Sequence, residues 1–108
     1  MDSVTYDEFR RLDMRTAKIV NAEKIEGATR LLRLEIDTGS EKRTIVAGIG
    51  ETYKAEELKN KNIVVLTNLE PKTIRGVESR GMLLAASAEG KPVLLTVEQD
   101  VPPGTEIR

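Results

Sequence analysis

The sequence predicts an all-β fold with short helices, built around a single core of 108 residues. Three observations carry that prediction. Segments rich in Val, Ile and Leu recur from Met14 to the C-terminus, and Gly, Pro, Asn and Asp turn signals separate them. Only two short stretches carry the spacing or composition of a helix.

The first such stretch opens the chain. Thr5 followed three positions later by Glu8 is a capping-box pattern, and Tyr6, Phe9 and Leu12 follow at helical spacing, so a short helix within residues 1–13 is expected to plug against the core. Met14 to Lys24 is the first strand, long enough to bend. In the second, Leu31 to Asp37, the residues Leu32, Leu34 and Ile36 alternate with Arg33, Glu35 and Asp37. Thr38-Gly39-Ser40 turns the chain into a third strand, Lys42 to Ala47, which so short a connection makes an antiparallel partner of the second. Gly48 to Lys61 breaks the strand texture, with helix formers at Ala55 to Lys59. Ile63-Val64-Val65-Leu66 then gives an apolar fourth strand, Asn62 to Thr67, buried on both faces or at a barrel seam. Asn68 to Gly81 reads as a long polar loop, and Met82 to Ala86 as the next strand. Glu89-Gly90-Lys91 leads into Pro92 to Val97, and Val101-Pro102-Pro103-Gly104 into a short strand at Thr105 to Ile107. A meander, a helical connection and further strands is the order of a five-stranded OB-fold barrel with appended C-terminal strands. An SH3-like barrel or a small sandwich fits the same spacing. The expected division is residues 1–13 for the helix, 14–86 for the barrel and 87–108 for a C-terminal extension.

The composition excludes function classes. There is no Cys and no His, which removes thiol nucleophiles, thiolate zinc sites, the usual general base and the commonest metal ligand. Catalysis, a metal and a cofactor are not expected. With three aromatics, Tyr6, Phe9 and Tyr53, the chain has no row of rings on which to stack successive bases. Seventeen Lys and Arg against eighteen Asp and Glu give a formal charge of −1, so any polyanion site must be local. Residues 1–81 hold fifteen cations and fourteen acids, and residues 82–108 hold two and four, which puts the cations upstream. Met1 leads into Asp2, Asp7 and Glu8, unlike a secretory leader, and no run approaches eighteen apolar residues. The expectation is a cytoplasmic protein with no membrane span.

The candidate chemistry lies on the loop. Lys72-Thr73-Ile74-Arg75-Gly76 and Arg80-Gly81 combine cations that can meet phosphate with bare backbone that a ligand can approach closely. Spacing alone favours an ordinary solvated loop whose glycines satisfy turn geometry. Arg15, Lys18, Arg30 and Arg33 could flank one barrel mouth, and strand alternation turns Arg33 outward, where an arginine is more often solvated or paired with a cross-strand acid. Glu35 and Asp37, and Glu56 and Glu57, lack any further ligand pattern and are assigned to the surface. Gly48-Ile49-Gly50 lacks the third glycine of a dinucleotide fingerprint and reads as a chain reversal.

Asp13-Met14-Arg15-Thr16-Ala17-Lys18-Ile19, Glu26-Gly27-Ala28-Thr29-Arg30-Leu31-Leu32-Arg33-Leu34 and Val46-Ala47-Gly48-Ile49 resemble the tRNA-binding domain appended to methionyl-tRNA synthetases. Asn68-Leu69-Glu70-Pro71-Lys72, Ile74-Arg75-Gly76-Val77-Glu78-Ser79 and Gly81-Met82-Leu83-Leu84-Ala85-Ala86 are similar to that family's most specific signature. The resemblance runs from about Phe9 to the C-terminus. It implies an OB barrel that binds tRNA by shape, performs no catalysis, and forms a homodimer through the C-terminal strands. It also implies a free-standing subunit, a trans-acting beta-subunit-like partner of methionyl-tRNA synthetase. A related branch of export-related chaperones binds unfolded polypeptide. That branch usually loses the Arg-Gly-Val-Glu-Ser and Gly-Met patterns, which are intact here. An assembly subunit of a synthetase complex is a further alternative. In the tRNA-binding case Lys72 and Arg75 are expected on phosphate, Asn68 and Ser79 on sugar or base edges, and Met82 against a base or ribose. Lys18, Arg30 and Arg33 are secondary expectations, and Gly76 and Gly81 would act through backbone shape. Glu26-Gly27 departs from the His-Pro turn that many members carry at that place.

Overall fold

The computed structural model describes residues 1–108. A helix α1 (Tyr6–Arg10) precedes strands β1 (Met14–Ile25), β2 (Ala28–Asp37) and β3 (Lys42–Ala47). After a 3-10 turn (Ala55–Glu57) come β4 (Asn62–Leu66), β5 (Lys72–Ile74), β6 (Val77–Ser79), β7 (Met82–Leu83), β8 (Ala85–Ala88), β9 (Lys91–Leu94) and β10 (Glu106–Ile107). The main sheet runs β3-β2-β1-β4-β7, antiparallel throughout, with β10 also paired to β1.

β1 is the axis of the fold because it changes partners along its length. Met14 to Lys18 pair with β4, and Lys18 to Ile25 pair with β2. A register shift between Ile19 and Asn21 marks a bulge at Val20, which lets the long strand bend between its two neighbours. Alternation places Leu32, Leu34, Ile36 and Ile45 inside, where they meet Ala17, Ile19, Leu58, Ile63 and Val65 in one aliphatic core. All three central residues of β4, Ile63, Val64 and Val65, are buried, as its unbroken apolar run predicts. β3 forms no ladder with β7, so the sheet is not closed into the expected barrel; two bonds instead tie β3 to the chain at Ser79 and Arg80. The Arg80 amide donates to the Thr44 carbonyl (3.0 Å), and the Val46 amide donates to Ser79 Oγ (2.9 Å).

Four expectations change. The capping box forms, with Thr5 and Glu8 exchanging bonds of 2.9 and 3.1 Å, but Tyr6 remains 66% exposed and α1 is no plug at that position. Tyr6 instead accepts a bond from Arg10, whose guanidinium lies 5.7 Å from the ring centre. The Asn68 to Gly81 loop contains the β5–β6 hairpin. The single strand expected at Met82 to Ala86 divides into β7, which pairs with β4, and β8, which pairs with β9. Finally, the C-terminal residues Glu106 and Ile107 join the main sheet against Met14 and Arg15. The β8–β9 hairpin, like β5–β6, lies outside the main sheet; the Leu94 and Leu95 amides donate to Tyr53 Oη and the Leu84 carbonyl (both 3.1 Å).

Candidate nucleic-acid interface

The β5–β6 hairpin organises the site. Its strands are joined by Arg75-Gly76 alone, with φ of +51° and +78°, the two left-handed residues of a type I′ turn. Gly76 adopts that conformation freely. Arg75 carries a cost on the order of 1 kcal/mol, and the commonest residue there would be Asn, Asp or Gly. An arginine is therefore held at the tip against local preference, its side chain exposed and without an ion-pair partner.

Two open hollows, each of about 510 Å³, meet at this tip. One lies against the β1–β2 turn and is lined by Gly27, Ala28, Thr29, Arg30, Leu31, Gly48 and Arg75. The other lies against the outer face of β2 and β3, lined by Arg33, Lys42, Arg43, Thr44, Gly76, Val77, Glu78 and Arg80. Together they form a groove on either side of the hairpin, with a cation on every wall. The register explains the placement: Arg33 faces Val46 and Asp37 faces Lys42, so Arg33, Lys42 and Thr44 share the outward face. Arg43, on the inward face, bridges the open seam beside β3 by donating to the Thr67 carbonyl (2.7 Å) and the Arg80 carbonyl (3.3 Å). Its Nε is buried without a partner.

The sequence-predicted residues divide into three groups. Arg30, Arg33, Arg75 and Gly76 come together in the groove, and Lys72 stands exposed on the same hairpin, opposite Ser79. Ser79 and Gly81 build the support. Ser79 is buried, accepting from Val46 and donating to the Gly81 carbonyl (3.2 Å). A Cβ on Gly81, whose φ is +129°, would press to 3.1 Å on the Leu66 carbonyl oxygen. The remaining three are elsewhere. The Asn68 amide ties α1 to the sheet, accepting from the Asp13 amide (2.9 Å) and donating to the Arg11 carbonyl (2.7 Å). Lys18 Nζ lies 3.9 Å from Asp100, and Met82 is exposed on β7 outside the groove. Ser79 and Asn68 thus have internal partners where free donors were expected. Lys42 was missing from the expected set, and Arg80, expected only as one of the loop cations, lines the groove. Carrying the outward face of Arg33 across the β2–β3 hairpin would have found Lys42.

A further hollow of about 520 Å³ shares Arg43 but is neutralised internally. Asp13 and Arg15 pair at 2.8 Å, and the Thr67 hydroxyl lies 2.9 Å from the Asp13 carboxylate. That hydroxyl first, then Arg15 and Arg43, hold the Asp13 carboxyl below its ordinary range. No helix is long and apolar enough to cross a membrane.

Comparison with known proteins fits this geometry. Residues 14–106 match the family model described as "Putative tRNA binding domain". The chain is 48% identical over 106 residues to the methionine–tRNA ligase of Archaeoglobus fulgidus and 49% identical over 106 residues to that of Thermotoga maritima. Those alignments take in 98% of this chain but 16% and 17% of the relatives, so the chain spans a small part of their length. Among solved structures, the MetRS related protein from Pyrococcus horikoshii is similar over the whole of both chains, with 39% identity and a TM-score of 0.95. The chaperone CsaA from Bacillus anthracis is similar over 99% of this chain and all of its own, with 30% identity and a TM-score of 0.90. With an OB-like sheet and a match over nearly its whole length, the chain belongs to the tRNA-binding domain family.

Proposed function

We propose that this chain is a non-catalytic, structure-dependent tRNA-binding protein of the cytoplasm, and that the groove on both sides of the β5–β6 hairpin is its binding surface. The observation that carries this is the unpaired Arg75 at a strained hairpin tip between two cation-lined hollows. Arg75, Lys72 and Lys42 contact phosphate directly, and Arg30, Arg33 and Arg80 add contacts along the walls. Gly76 allows the RNA backbone close to the tip. Few phosphate contacts on a nearly neutral chain make the affinity of one subunit modest and salt-sensitive.

A homodimer would present two such grooves to one folded RNA and raise the affinity through effective concentration. The β8–β9 hairpin is the proposed dimer contact: β8 is exposed throughout, and Val93 and Leu95 are 48% and 42% exposed. The likeness to a MetRS related protein over the whole of both chains supports a free-standing subunit, and the likeness to methionine–tRNA ligases supports methionyl-tRNA synthetase as its trans partner.

The likeness to CsaA supports a second function, binding of unfolded polypeptide. One experiment separates the two. The purified chain is titrated with fluorescently labelled tRNA by anisotropy, and in parallel tested for suppression of aggregation of a chemically unfolded client. Saturable tRNA binding without aggregation suppression is the expected result. Suppression without tRNA binding establishes the chaperone function instead.

A further inference from the structure

Three of the groove's arginines are not free. Arg33 lies 3.1 Å from Glu23, directly opposite it on the neighbouring strand; Arg80 lies 3.3 Å from Glu41; and Arg30 lies 3.7 Å from Glu51. By contrast Arg75, Lys42 and Lys72 have no acidic partner within ion-pair distance. The cationic surface therefore has two tiers, three cations open to any anion and three already held by carboxylates.

Building on the tRNA-binding function proposed above, we infer that Glu23, Glu41 and Glu51 are specificity-determining residues. They screen the second tier so that only a rigid, closely spaced phosphate array recruits it. The physical basis is competition. Each pair is exposed and so weakly held, and a phosphate in register displaces the carboxylate. Recruiting all three arginines requires three phosphates presented together. A folded RNA has already met the entropic cost of that arrangement, whereas a flexible single strand must order its backbone for each contact. The open tier captures RNA, and the screened tier tests its shape. That supplies shape selectivity to a surface with no aromatic ring among the residues lining either hollow.

The roles of the three acids differ in scale. Glu41 also lies 3.7 Å from Arg43, so it holds both the seam arginine and Arg80, and its removal frees the most positive field. Glu23 and Glu51 each hold one arginine at an exposed position.

The test compares the full chain with Glu23→Gln, Glu41→Gln, Glu51→Gln and the triple variant. Each is titrated at several salt concentrations with folded tRNA and with polyuridylate of equal length. The triple variant is expected to bind polyuridylate roughly tenfold more tightly and tRNA only about twofold to threefold more tightly, so that the preference for tRNA falls. Its salt dependence on polyuridylate should steepen by about 0.7 for each phosphate newly neutralised. Equal gains for both RNAs, or no gain, overturn the screening role while leaving tRNA binding standing. A wild-type chain that binds neither RNA removes the underlying function instead. If Glu41→Gln loosens the fold, lowering the melting temperature, the Glu23→Gln plus Glu51→Gln variant carries the same test.

Discussion

The β2–β3 and β5–β6 hairpins share a topology with the β8–β9 hairpin and differ in every surface property. The β2–β3 hairpin supplies Leu32, Leu34, Ile36, Ile45 and Ala47 to the aliphatic core, and it, the β5–β6 hairpin and the residue that follows present Arg33, Lys42, Arg75 and Arg80 on the surface. The third presents an alanine-rich strand and two apolar side chains, Val93 and Leu95, with Lys91 its one cation. Both short hairpins turn at a left-handed pair, Arg75-Gly76 in one and Glu89-Gly90 in the other. The same turn therefore carries opposite charges, and the outer faces of the two hairpins differ in chemistry. A cationic wall suits a polyanion, and an apolar strand suits protein.

Substitutions can break that comparison at either end. The largest expected effect is on the shared support. Leu34→Ala leaves a cavity in a fully buried position and should cost about 3 kcal/mol, read as a lowered denaturation midpoint, with both hairpins' functions lost together. Val93→Asp with Leu95→Asp should separate the two surfaces. Self-association measured by sedimentation is expected to fall at least tenfold, with intrinsic RNA affinity per groove retained and the gain from two-site binding lost. Arg75→Asn places a favoured residue in the type I′ turn, so the melting temperature should hold or rise slightly while tRNA binding weakens several-fold. A loss of stability there would show that Arg75 serves the fold.

The smallest expected effect concerns Asp13. Its carboxyl is held below the ordinary range by the Thr67 hydroxyl and by arginines, so the folded state binds that proton less readily than the unfolded chain. The contribution is fully present above the unfolded pKa and disappears as pH falls through the lower folded value. Thr67→Val should therefore cost about 1 kcal/mol near pH 7 and progressively less below about pH 4. A cost that stays constant through acid would assign it to Asp13's backbone carbonyl, which the same hydroxyl approaches at 2.8 Å.

How much of this was legible in the sequence follows from element length and register. Strands β1 to β4 announce themselves because alternation or an apolar run extends over five residues or more. β5 and β6 have three residues each, too few for periodicity, so Arg75-Gly76 looked like loop punctuation. The family signature still pointed to Lys72, Arg75 and Gly76. It could not distinguish Ser79 and Gly81, which hold the seam, from residues that face the groove. The ion pairs were hidden for another reason. Glu23 meets Arg33 only in a register set by the bulge at Val20, which no local pattern encodes.

The central claim, that the hairpin cations bind tRNA, is tested most directly by filter binding of Lys72→Ala plus Arg75→Ala across a salt series. With thermal stability unchanged, affinity should fall about tenfold for unrelated tRNAs alike, and the slope of log affinity against log salt should shrink by about 1.5. Unchanged affinity and slope would contradict the account and move the binding surface away from the β5–β6 hairpin.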